Sequence, residues 1–377
     1  MRLRRNSGVI SGALALCLCC MGVLPACDSS EPESPFKRYL NQLDLALQIP
    51  STAVRFTGTP VPPGPGELRV DIAASSIDSL DLLQVSGCSV QANIGRRATS
   101  LGRFAKPSQR LLLELEYLRQ APACIRHLRE GNQLTLAASL EAAHRKTQSQ
   151  LPALIFNATL GSEEYRALWL ATPAAGSYPR RDADTVTAAL EAINGNVKRW
   201  LSGDYRAHNL NLELLLSEIA GGDVGSRLQT WTHRVDWLAS AGQRVAQALH
   251  TGTGCGNYQA GALAASRVAI ANAYFIDVIQ PLMAHSQRQY LNLTRPISAL
   301  ETQLRIALPA SYRHWITQRT GYVAALSGAG GQHREQLSRI LQSCAVEPVP
   351  TPEKASRAHT PEIGYTGGRD GTPGLYL

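Results

Sequence analysis

The chain has 377 residues, 44% of them apolar, and a formal charge of +8. This is too apolar for a disordered chain and long enough for one large domain or two packed ones. The basic excess is spread along the chain without interleaved aromatics, which excludes a nucleic-acid footprint. It reads first as a solvated surface and second as affinity for anionic headgroups or acidic glycans.

Arg2, Arg4 and Arg5 open the chain, and an apolar run from Val9 to Val23 follows. A basic start and an apolar middle before a small-residue cut site describe an export signal over residues 1–26. The cut site, Leu24-Pro25-Ala26-Cys27, resembles the bacterial lipobox, which predicts acylation of Cys27 and attachment to a membrane. Pro25 departs from the small or hydroxyl residue usual at that place. The alternative is an uncut anchor, for which the run is short against a span of roughly 20 residues. Asp28 resembles the signal that keeps lipoproteins of enteric bacteria in the inner membrane. Residues 27–35 then form a polar tether.

The body, residues 36–344, reads as all-α: an irregular multi-helix bundle or solenoid-like array, either undivided or in two packed halves. Phe36 to Ile49 is a first helix, with Leu40, Leu43, Leu45 and Leu47 as its apolar positions and Pro50 as its stop. Residues 51–66 hold four prolines and form a loop. Leu68 to Ile72 alternates as a short strand would, and Ile77 to Val85 is a short helix. Ser89 to Ala105 and Ser108 to Ala121 form a helical pair joined at Lys106-Pro107, with Ser108 as N-cap. Leu134 to Leu151 is an alanine-rich helix.

Asp184 is expected to cap a helix striped by Val186, Leu190, Ile193, Val197 and Trp200. Leu228, Trp231, Val235, Leu238, Val245 and Leu249 stripe the next. Gly242 in that stripe fits a close approach to a neighbour, and Gly252 ends the helix. A long helix runs from Tyr258 to about Leu293, kinked at Pro281. Pro296 and Pro309 cut off further pieces. Ser311 to Leu326 and Gln332 to Ser343 finish the array, separated by Gly328, Gly330 and Gly331. Residues 345–377 read as a disordered tail.

Four cysteines remain beyond Cys27: Cys88, Cys124, Cys255 and Cys344. An even number in an exported chain predicts two disulfides, with three possible pairings. An antiparallel pair of helices about 20–25 Å long would bring Cys88 to Cys124, leaving Cys255 for Cys344. The mature chain has no C-x-x-C pair, so neither a zinc site nor a redox motif is expected. No H-E-x-x-H, G-x-S-x-G or phosphate-loop pattern occurs, and no cofactor is expected. Glu163 and Glu164 beside Tyr165, Arg166 and Trp169 form the one local polar–aromatic cluster. The pair suits acid–base work, but a helix start explains it as well.

The segment from Cys88 to Cys124, with Ser100-Leu101-Gly102 and Pro107-Ser108-Gln109-Arg110-Leu111 between its cysteines, resembles a family of lipoproteins of Gram-negative bacteria. This is the domain of unknown function numbered three thousand and eighty. Asn157 to Ser162 and Trp169 carry the same likeness. The resemblance implies a domain over roughly Phe36 to Cys344 and a place in the cell envelope, and it transfers no catalytic residue. The combined expectation is a non-catalytic, membrane-anchored protein that binds or scaffolds an envelope protein or glycan. The alternatives are an envelope enzyme acting on glycan or lipid, and a carrier of an apolar ligand.

Overall fold

The computed structural model describes residues 34–73, 87–170, 179–252 and 258–345. The expected leader, Cys27, the expected Ile77–Val85 helix, Cys255 and residues 346–377 lie outside them. Among the described residues the chain is helical with no strand, and the helices pack as an irregular bundle.

Helix α1 (Ser34–Leu47) buries Leu40, Leu43 and Leu47 but leaves Leu45 exposed, because 45 falls off the i, i+3, i+7 stripe. After the one-turn α2 (Pro65–Leu68), the expected strand is instead a single extended segment. Its partner is a side chain rather than another strand. Asn157 Oδ1 accepts from the Val70 amide at 2.9 Å, and Asn157 Nδ2 donates to the Val70 carbonyl at 2.7 Å. One amide group thus meets the backbone needs that a ladder would have met.

The helix expected over Ser89–Ala105 is broken into α3 (Val90–Ala98) and α4 (Ser100–Arg103). Thr99 is extended, its hydroxyl donating to Arg96 O and accepting from Gly102 N. The turn is so tight that a Cβ on Gly102 would lie 2.2 Å from Arg96 O. Arg96–Glu116 and Arg97–Glu114 ion pairs dock α3 on α5 (Pro107–Glu130). Ser108 is not the N-cap of α5. Pro107 already occupies the first turn, where its missing N–H costs nothing, and Ser108 turns inward to donate to Glu213 at 2.6 Å.

Helix α5 also continues past Ala121, through Pro122. Proline leaves the Leu118 carbonyl without its helical donor, and His144 Nε2, on α6 (Leu134–Ala158), lies 3.3 Å from that oxygen. Helix α6 likewise runs past Leu151 and through Pro152. The outer halves of α3, α5 and α6 enclose a satellite core around Val90, Tyr117, Leu128 and Leu140. The Cys88–Cys124 disulfide closes its end, with Cα atoms 5.4 Å apart.

The inner halves of α5 and α6 join the main core with α7 (Glu163–Leu168), α8 (Ala183–Leu201), α9 (Asn209–Ala220) and α10 (Val224–Thr251). Asp182, not Asp184, caps α8, accepting from Thr185 N at 2.8 Å, and the five predicted stripe residues are all buried. Helix α10 ends at Gly252 in the left-handed conformation (φ 66°).

Next come α11 (Tyr258–Tyr274), one π-helical turn (Phe275–Ile279) and α12 (Gln280–Gln303). Pro281 cannot donate and crowds the carbonyl four residues back; the wider turn lies just before it. Pro296 sits inside α12 rather than ending it.

Helix α13 (Ala310–Ala345) is continuous through Gly328, Gly330 and Gly331. Each glycine costs about 1 kcal/mol in a helix, and packing along α10 and α11 offsets that cost. Gly242 of α10 meets α13 face to face. A Cβ there would lie 2.4 Å from Gln336 Oε1, the close approach its stripe position predicts.

Where α1, the π turn and α13 meet, Tyr39 Oη and His333 Nε2 are 2.5 Å apart, with Phe275 edge-on to the imidazole. Burial lowers the His333 pKa from 6.5 to about 4. A folded pKa below the unfolded one means that acid protonates the unfolded chain first. Stability should therefore be lost as pH falls from 6.5 towards 4, by about 2 kcal/mol between pH 7 and 5. Urea midpoints across that range should show the drop in the natural protein and a flatter profile in His333→Gln.

Candidate functional site

The structure divides the predicted polar–aromatic cluster. Ser162 caps α7 by accepting from Tyr165 N, and Glu163 and Glu164 occupy the first turn, where the dipole favours them. Tyr165 and Trp169 point the other way, into the main core, where they meet groups from α12 and α13.

There Arg319 Nη1 and Nη2 donate to Glu301 Oε1 and Oε2 at 2.9 and 2.8 Å, a bidentate pair with both side chains buried. Tyr312 donates to Glu301 Oε1 at 2.9 Å, and its oxygen lies 2.9 Å from that of Tyr165. The guanidinium carbon lies 4.6 Å from the Trp315 ring centroid and 5.1 Å from that of Trp169. Burial raises the pKa of both phenols, so they stay protonated and serve as donors. The oxygens of Glu301 are taken up by partners within the core, and neither surface cleft described below reaches them. This centre joins α12, α13 and the residue that follows α7.

The sequence carried a signal for it. Arg319 takes the i+7 place in the stripe Tyr312, Trp315, Tyr322, and Glu301 takes the i+4 place between Ile297 and Leu304. A charge in a buried stripe implies a buried partner.

The exposed chemistry lies in the connection between α8 and α9, which sequence reasoning passed over. Asp204 sits at its centre. It accepts from Arg206 Nε and Nη2, each at 2.8 Å, and from Arg199 Nη1 at 3.2 Å. The Arg206 side-chain hydrogen bond, then its backbone N–H and Arg199, hold the Asp204 carboxyl far below its usual range. Trp200 Nε1 donates to Arg206 O at 3.1 Å, and Gln148 donates to Tyr205 Oη at 2.9 Å. These contacts raise residues 204–208 into a fixed ridge.

A cleft lies on each side of the ridge. One, about 260 Å³, is lined by Asn196, Arg199, Trp200, Arg206, His208 and Asn211, with Ala207 and Leu212. The other, about 330 Å³, is lined by Arg96, Gln109, Leu112, Leu113, Glu116 and Arg119, with Tyr205 and Ala207. Ala207 borders both. The density of charged and aromatic residues in a short inter-helix connection was the readable signal.

Over residues 36–348 the chain matches the family described as Protein of unknown function (DUF3080). The chain belongs to that family. The matched span takes in both the joint and the ridge. No curated protein and no solved structure matches the chain.

Of the predicted site residues, Cys88 and Cys124 are brought together, and Cys344 falls in the last turn of α13. Cys27, Cys255 and the Cys344 side chain lie outside what is described. Among the described residues no three His, Cys, Asp or Glu side chains converge to hold a metal, and no helix is long and apolar enough to cross a membrane.

If the joint is structural, Arg319→Met should destabilise by about 3–5 kcal/mol, because it strands a buried carboxylate. The double variant Glu301→Leu/Arg319→Met should lose less than the sum of the two single changes. Denaturant melts of the four proteins of this cycle measure the coupling.

Proposed function

We propose that this protein is an exported lipoprotein, acylated on Cys27, whose helical body binds another component of the cell envelope through the ridge at Asp204. The leader with its cysteine-bearing cut site carries this reading. The Cys88–Cys124 bridge supports it, since such bonds persist where the surroundings are oxidising. On this reading the acyl chains hold the protein to a membrane, and more than one chain is needed for lasting attachment. Residues 28–33 link the lipid to α1, leaving the body exposed to partners. Binding rather than catalysis suits the geometry. The carboxylate–phenol centre is sealed and internally satisfied, whereas the clefts beside the ridge are open and polar.

Mass spectrometry of the membrane-extracted protein should find an amino-terminal peptide that begins at Cys27 and carries fatty acid. The Cys27→Ser variant should lose the lipid and leave the membrane fraction. An unmodified sulfur at Cys27, or a leader still in place, would contradict the assignment.

A further inference from the structure

We infer that the two clefts flanking the Asp204 ridge form one binding site for an acidic oligosaccharide. This inference rests on the ridge being the partner-facing surface proposed above, and it adds the chemical class of what is bound there.

Three observations carry it. The first is charge. The ridge and its walls present Arg96, Arg119, Arg199 and Arg206 against Glu116 and Asp204 in the lining and Glu213 behind Gln109, a local cationic excess. The second is the state of those guanidiniums. A guanidinium has five N–H donors. Arg206 commits Nε and Nη2 to Asp204, and Arg199 commits Nη1 to Asp204 and Nη2 to Asn196 Oδ1. Both forks are thereby oriented with donors in reserve. A carboxylate ligand would meet planar groups already in place, at little entropic cost.

The third is the mixture between the charges. Asn211, and the amide nitrogen of Asn196, whose oxygen already accepts from Arg199, offer groups suited to hydroxyls. Leu112 and the half-buried Tyr205 offer apolar faces suited to the C–H side of a sugar ring. A lone phosphate would fill a small part of either cleft and leave the amides unused. A peptide strand would look for a sheet edge, and the described residues present none. Alternating carboxylates, hydroxyls and ring faces match the guanidiniums, amides and apolar faces gathered about Ala207, which borders both clefts.

Isothermal titration of the full-length protein in detergent micelles tests the inference with three probes: tetragalacturonate, neutral maltotetraose and inorganic phosphate. Tetragalacturonate should bind at least tenfold more tightly than either of the others and weaken steeply with salt. Arg119 is exposed and makes none of the contacts that shape the ridge. Arg119→Gln should therefore fold normally and cost about tenfold in affinity, the value of one charge-assisted contact. Arg206→Lys keeps the charge but loses the fork, and should weaken binding where a site of point charges would be indifferent.

Equal binding of maltotetraose, phosphate binding as tight as that of the acidic sugar, or no loss in Arg119→Gln would each overturn the inference. Failure of all three probes with Cys27 acylated would remove the glycan and leave the anchored binder standing. Glycan binding by a chain that is not acylated would do the reverse.

Discussion

The ion pair between Glu301 and Arg319 is the constraint around which the rest is arranged. Taking both charges out of water costs several kcal/mol for each ion, and Coulomb attraction offsets this only in good geometry. Here the fork is bidentate, Tyr312 adds a donor to one carboxylate oxygen, and two indole rings face the guanidinium. The partners come from three stretches of chain: Trp169 follows α7, Glu301 is on α12, and Tyr312, Trp315 and Arg319 are on α13. Satisfying one charged pair therefore sets how these three helices sit against each other. An apolar core alone, indifferent to direction, would fix that less sharply.

Two consequences follow for the architecture. With α12 and α13 positioned, α10 and α11 pack along α13, and a run interrupted by three glycines stays helical because its neighbours hold it. On the other side α5 and α6 extend out of the main core into the satellite core, where the Cys88–Cys124 bond closes the end. The ridge at Asp204 stands beside the inner part of this arm. One of its walls is α5, and α5 is tied to α9 through Ser108, Gln109 and Glu213. The exposed site thus inherits its shape from packing that it does not itself supply.

The apolar stripes were readable because period alone decides them: the helix containing Val186 to Trp200 buries each residue its spacing predicts. Local polar competition was harder to see. Thr99 breaks a helix with its own hydroxyl, and Ser108 resembles a cap while serving a carboxylate more than a hundred residues away. Asn157 and His144 were illegible for a related reason, since each answers a backbone group that only the folded chain brings near. Proline and glycine misled in α5, α12 and α13, where tertiary contacts outweigh an intrinsic cost of about 1–3 kcal/mol. The sequence exposed the cysteine pair and the acidic start of α7. It concealed the ridge, whose order comes from Asp204 gathering two arginines that no motif marks.

On the proposed reading, order and recognition lie in separate parts of the molecule. Charges in the interior are consumed by one another, while charges at the ridge are aligned and retain donors. Hydrogen–deuterium exchange of the full-length protein with and without tetragalacturonate would separate these roles in one experiment. Slowed exchange confined to residues 109–119 and 196–212, with no change around Glu301 and Arg319, is the pattern the structure predicts. Protection centred on the buried pair, or spread evenly over the bundle, would contradict it.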